Sequence, residues 1–167
     1  MVLILGVDPG SRATGFGVIE VLRNKLVHVD SGTFRLEQES LQARLLILHE
    51  NLSYVIEQHK PSEASVEKVF VNRNVDSALK LGHARGVILL NLAKHGLRTS
   101  EYTATQIKRS TVGRGHASKV QVQHMVRAIL NMDRTPGPDA SDALAAAICH
   151  AHVRESLARI EKAGTEN

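Results

Sequence analysis

The chain has one cysteine, no tryptophan and only five other aromatic residues among its 167 positions. The lone thiol, Cys149, cannot close an internal disulfide. With no export signal in view, this points to a reducing cytoplasm. Its setting in an Ala-rich segment marks Cys149 as a small inert core residue. No apolar run approaches the ~20 residues that a membrane-spanning helix requires. The start, Met1-Val2-Leu3-Ile4-Leu5, lacks a basic region and reads as a strand rather than a signal peptide. Repeats, low-complexity stretches and linkers are also missing. The expectation is a single domain over residues 1–163, enough to bury a sizeable core, with 164–167 as a disordered tail. The nine histidines offer no His-x-x-x-His pair beside an acid, so none is singled out as a metal ligand.

Acidic residues are missing altogether between Tyr102 and Met132. Over Lys68–Met132 there are eleven basic residues against Asp76 and Glu101, a net +9, while the rest of the chain is −5. Such a block favours a polyanionic partner and steers it by long-range attraction, although a solvated basic face would have the same composition. Its densest group is Lys108, Arg109, Arg114 and Lys119. Gly113 and Gly115 flank Arg114, which predicts a mobile loop there. These cations could grip phosphates or offset charge in a transition state.

The first third reads as β structure: strands over 2–8, 14–21 and 25–36, the last two joined as a hairpin near Arg23-Asn24. Leu41, Leu45, Leu48, Leu52, Val55 and Ile56 recur at helical spacing between Ser40 and Lys60, and Pro61 stops that helix. A buried strand over 64–70, a helix over 76–95 with Gly96 as C-cap, and a strand over 98–103 follow. Ser118-Lys119-Val120-Gln121 fits a capping box opening a helix to about 132. After Pro136-Gly137-Pro138 comes a last helix carrying Asp139. The pattern predicts a mixed five-stranded α/β sheet flanked by helices.

Four acids occupy settings in which a solitary carboxylate is hard to place. Asp8 ends the apolar run Leu3–Val7, Glu67 interrupts the β run Ala64–Phe70, and Asp139 and Asp142 open the Ala-rich helix one turn apart on one face. Each has a plain alternative. Asp8 could start a turn by accepting backbone amides. Glu67 could face solvent on an edge strand. Asp139 and Asp142 could answer the helix dipole. If the segments pack side by side, the carboxylates converge, and an oxygen-only cluster suits Mg²⁺ or Mn²⁺ better than zinc. Phe70 is first expected in the core. Its functional alternative is a ring stacked on an unpaired base, favoured by the polar Asn72-Arg73-Asn74 that follows.

Several stretches closely resemble the RuvC family of bacterial Holliday-junction resolvases. They are Gly6-Val7-Asp8-Pro9-Gly10-Ser11-Arg12 with Thr14-Gly15, Val66-Glu67-Lys68-Val69-Phe70, Asp76 through Gly86, Thr111-Val112-Gly113 with Lys119 through Val126, and Asp139-Ala140-Ser141-Asp142-Ala143-Leu144-Ala145. The likeness runs in order along nearly the whole chain. It implies a ribonuclease-H-like fold and a homodimer that resolves four-way DNA junctions in recombination and repair by paired nicks. The metal-binding carboxylates map onto Asp8, Glu67, Asp139 and Asp142, the stacking aromatic onto Phe70, and the active-site basic residues onto Lys108 and Lys119. Arg73, Arg109 and Arg114 join the expected DNA contacts. Two Mg²⁺ per subunit, or Mn²⁺, would serve hydrolysis leaving 5′-phosphate and 3′-hydroxyl ends. A branch-migration complex is the implied partner. The helix spanning Leu79–Leu92, with Gly82, Ala84 and Gly86, is a candidate dimer surface, its alternative being packing on the sheet.

Three rivals share parts of this pattern. The Asp8 motif also resembles the first phosphate loop of actin-like kinases and ATPases, but the chain is too short for their second domain. A non-catalytic junction binder would keep the basic middle and have no need of four acids. A nuclease for RNA–DNA hybrids would differ in substrate.

Overall fold

The computed structural model describes residues 2–23, 25–69 and 75–165. Strands β1 (Val2–Asp8), β2 (Ala13–Leu22) and β3 (Lys25–Arg35) form an antiparallel meander. Helix α1 (Leu41–His59) leads to β4 (Glu63–Glu67), and α2 (Val75–Lys94) leads to β5 (Arg98–Tyr102). Then come α3 (Ala104–Val112), α4 (Lys119–Ile129) and α5 (Pro138–Thr165). The sheet order is β3-β2-β1-β4-β5, with β4 parallel to both β1 and β5. This is the expected mixed five-stranded sheet.

Strand parity sorts the core into two layers. Leu5 and Val7 of β1, with Ala64 and Val66 of β4, pack against Leu48, Leu52 and Ile56 of α1 and Ile88 and Leu92 of α2. The opposite face turns Ile4 of β1 toward α5, with Ile19 of β2 in the same cluster as Leu144 and Ile148. Ser65 on that face donates to the Ala146 carbonyl of α5 at 2.7 Å. Cys149 is buried in this layer, as expected of an inert core thiol.

Helix α5 lies unusually close to the sheet because the sheet offers it glycines. A Cβ on Gly6 would stand 2.0 Å from the Ala143 carbonyl oxygen, and one on Gly15 would stand 2.0 Å from that of Asp139. Neither backbone atom can yield cheaply. Gly15→Ala is therefore expected to cost about 1–3 kcal/mol, the usual range for overpacking. A thermal melt checks this; an unchanged melting temperature would mean that the helix is free to ride outward.

Boundaries differ from expectation chiefly in four places, with shifts of one to three residues elsewhere, as at the end of α4, Ile129 rather than about 132. The α1 limits hold: Ser40 accepts from the Ala43 N–H at 3.1 Å, and Lys60 ends the helix at φ 49° ahead of Pro61. Strand β4 stops at Glu67 rather than at Phe70. The last helix takes in Pro138 itself, at a position where its missing N–H has no helical use, and it continues to Thr165, into the stretch expected as a disordered tail. The fourth difference is α3, which had no counterpart in the sequence reading. It places Lys108 and Arg109 on a helix, and Gly113 closes that helix with φ 81°. The Arg114 turn is thus a short connection between two capped helices.

Candidate active site

Asp8 and Glu67 are the last residues of the adjacent parallel strands β1 and β4. Both belong to the parity that faces α5. Asp8 pairs in register with Gly15 of β2, and the backbone of Asp139 lies directly over Gly15. One turn further along α5 is Asp142. Lys119 opens α4 behind its Ser118–Gln121 capping box, and Lys108 projects from the middle of α3. A cleft of about 270 Å³ at the strand ends is lined by Asp8, Glu67, Asp142, Lys108 and Lys119, with Ile107 among its apolar wall. Three of the four acids line this cleft, and Asp139 stands beside it over Gly15, near enough for its charge to act on Asp8.

The turn-starting reading of Asp8 and the edge-strand reading of Glu67 fail, whereas Asp139 does stand in the first turn of α5, where the helix dipole favours it. The turn after Asp8 is held by Thr14, whose hydroxyl accepts from the Gly10 N–H at 3.3 Å and donates to the Gly10 carbonyl at 3.1 Å. Among the described residues Asp8 accepts no backbone amide. Neither Asp139 nor Asp142 caps the start of α5 among the described residues; Asp142 instead accepts from the Lys119 ammonium at 3.3 Å. Glu67 sits on a central strand, flanked by β1 and β5.

Electrostatics follow from this lack of relief. Burial, followed by the charges of Glu67, Asp142 and Asp139, pushes Asp8 up to about 8, with Lys119 opposing. Burial and then Asp142 also raise Glu67, against Lys119 and Lys108. The Asp142 carboxylate raises Lys119, which stays charged. The donor set is all oxygen and carries surplus negative charge in a partly dry pocket, which fits a hard divalent cation. Among the described residues no three acidic, imidazole or thiol groups already close on one point as a metal ligand set.

Arg109 and Arg114 are exposed on α3 and the following turn, outside the cleft lining. Phe70 and Arg73 lie outside the described residues. The sequence reading missed the Thr14 clasp and the seating of Asp139 on Gly15. The glycine-rich run in β2 was the available signal, and what it admits is α5.

The model of the family described as Crossover junction endodeoxyribonuclease RuvC matches residues 4–150. The chain belongs to the RuvC family. A RuvC crossover junction endodeoxyribonuclease of Hahella chejuensis is 49% identical over 160 residues, covering 96% of this chain and 93% of that protein. The one from Methylobacillus flagellatus is 50% identical over 167 aligned residues, with 96% and 93% covered. Among solved structures, Thermus thermophilus RuvC in complex with a Holliday junction superposes with a TM-score of 0.86 at 31% identity, covering 93% of this chain and 97% of that one. The fold is the ribonuclease-H-like fold of these resolvases.

Proposed function

We infer that this RuvC-family protein is a structure-specific endodeoxyribonuclease that resolves four-way DNA junctions by paired symmetrical nicks. The observation that carries the reading is the meeting of Asp8, Glu67, Asp139 and Asp142 at the strand ends, beside Lys108 and Lys119. Those four carboxylates would hold two divalent cations, Mg²⁺ or Mn²⁺. When bound, the cations supply an activated water and neutralise charge on the departing 3′ oxygen. Asp8, on which the charges of Glu67, Asp142 and Asp139 all act, would be central to holding the cations. Lys119 orients the scissile phosphate or offsets its growing charge, and Lys108 holds the same strand from the α3 side. Phe70 is assigned to stacking on an unpaired base, and Arg73, Arg109 and Arg114 to backbone phosphates. Those assignments rest on the family resemblance and on charge.

A twofold dimer would set two identical sites on the two strands of a pseudo-twofold junction. Support comes from α2. Val75, Leu79, Gly82, Gly86 and Leu90 fall on one helical stripe; Val75, Leu79 and Leu90 are 77%, 59% and 62% exposed, and nothing lies within 4 Å of where a Cβ would stand on either glycine. Two such helices could approach closely. Cooperation with a branch-migration complex is part of the reading by family likeness. A cytoplasmic site fits a DNA-acting enzyme in which no described helix is long and apolar enough to cross a membrane. Residues 1–163 are taken as one nuclease domain.

The test is cleavage of a mobile four-way junction, with linear duplex and RNA–DNA hybrid as controls. Paired nicks confined to the junction, with ends that ligase seals, are expected. Equal cutting of hybrid, or binding without cutting, would replace this reading with one of its rivals.

A further inference from the structure

A second cationic cleft lies on the same end of the sheet, in the acid-rich part of the sequence. Arg12 in the β1–β2 turn, Arg35 at the end of β3 and Arg44 in the first turns of α1 line a cleft of about 530 Å³, together with Gln38, Glu37 and Glu39. The Leu36 N–H donates to the Arg12 carbonyl at 2.8 Å and ties the turn to the end of β3. None of the three guanidinium groups forms an ion pair among the described residues, and neither do the two glutamates. Arg44 Nε is buried with no acceptor, and Gln38 Oε1 is buried with no donor. A charged donor left so costs free energy until something supplies an oxygen. The first turn of α1 contains no acid, so the neutral Ser40 cap alone meets the positive end of that helix among the described residues.

We propose that Arg12, Arg35 and Arg44 form a DNA-phosphate subsite that holds the cut strand beyond the catalytic cleft. Asp8 pairs with Gly15, and Arg35 pairs with Ala13 two residues along β2. With strands about 4.8 Å apart and about 3.4 Å of rise per residue, the backbone of Arg35 is roughly 12 Å from that of Asp8. At a rise of 3.4 Å per nucleotide in each strand, that reaches a phosphate about two to four nucleotides from the cut. Guanidinium forks suit phosphate oxygens. Glu37 and Glu39, exposed at the mouth, repel a polyanion and moderate its affinity. This subsite rests on the resolvase reading for its substrate.

The experiment measures binding of the full-length protein to a four-way junction in EDTA across a salt series. Arg35→Ala/Arg44→Ala should weaken binding about tenfold near physiological salt and lower the slope of log affinity against log salt by about 1–2. Glu37→Gln/Glu39→Gln should tighten binding about threefold, and it keeps the arginines in place should their replacement harm folding. Single neutral methylphosphonates two to four nucleotides from the cut should weaken the parent at one position and leave the arginine variant indifferent there. Unchanged affinity and slope in folded variants would overturn the subsite. So would insensitivity to every neutralised phosphate, which would point to a free anion or an acidic protein as the occupant. If the parent protein binds junctions but never cuts them, the resolvase reading fails, while these binding measurements still decide the subsite.

Discussion

Replacing Asp8 by Asn is expected to abolish junction cleavage, by on the order of 10³-fold or more, while junction binding survives or tightens. The substitution keeps the size of the side chain and removes only its charge. Among the described residues no backbone amide answers that charge, and burial and the charges of Glu67, Asp142 and Asp139 disfavour it. Its loss should therefore leave the melting temperature of the ion-free protein unchanged or higher, as happens when a buried charge without a partner is removed. Binding without cations should gain above about pH 8, where the parent carboxyl has lost its proton and the substitution takes one negative charge from the path of a polyanion. Cleavage is expected to fail because, on the proposed reading, the cations would lose a carboxylate on which the charges of the other acids converge. Three measurements separate the possibilities: single-turnover cutting, junction affinity and thermal melting. A variant that melts well below the parent would make Asp8 a structural residue, and one that still cuts would remove it from the active site.

How far the site could be read in advance depends on which signal placed each residue. Asp8 and Glu67 were legible because period-2 alternation is a strong constraint. Once β1 and β4 are neighbours, their parity turns both acids to one face, and that face is the one α5 covers. Asp139 and Asp142 were legible as a pair, but their destination was not. It depends on Gly6 and Gly15, whose missing side chains let α5 settle onto β1 and β2. Helix α3 was not legible from periodicity. It is nine residues long, too short to repeat an apolar face, and rich in Thr and Ser; its signals were the Thr103–Gln106 capping box and Gly113. Net charge misled in a different way. The +9 segment drew attention to Lys108 and Lys119, whereas Arg12, Arg35 and Arg44 are dispersed in an acidic stretch and meet only through the sheet and the start of α1.

Chelating divalent cations should stop cleavage completely, and Mg²⁺ should restore it; the same experiment read as thermal stability has a sign fixed by Asp8. In the ion-free folded chain its carboxyl titrates at about 8, against an ordinary value of 3.8. Between those limits the folded state keeps a proton that the unfolded chain has released. Stability contributed by this group is therefore full below about pH 4, declines as pH rises, and levels off above about pH 8. Glu67, also raised, acts in the same direction. Glu63 acts in the opposite one, since bonds from His150 and Arg154 hold it below its usual range and its contribution is lost only in acid. Subtracting the Asp8→Asn profile from that of the parent removes Glu63 and leaves the Asp8 slope. A divalent cation competes with that proton, so the rise in melting temperature on adding Mg²⁺ should grow from pH 5 to pH 9 in the parent and be much smaller in Asp8→Asn. Cleavage should increase with pH over the same window as the carboxyl gives up its proton. Parallel EDTA profiles for parent and variant, or cutting undiminished by chelation, would remove the carboxylate cluster as the seat of the chemistry.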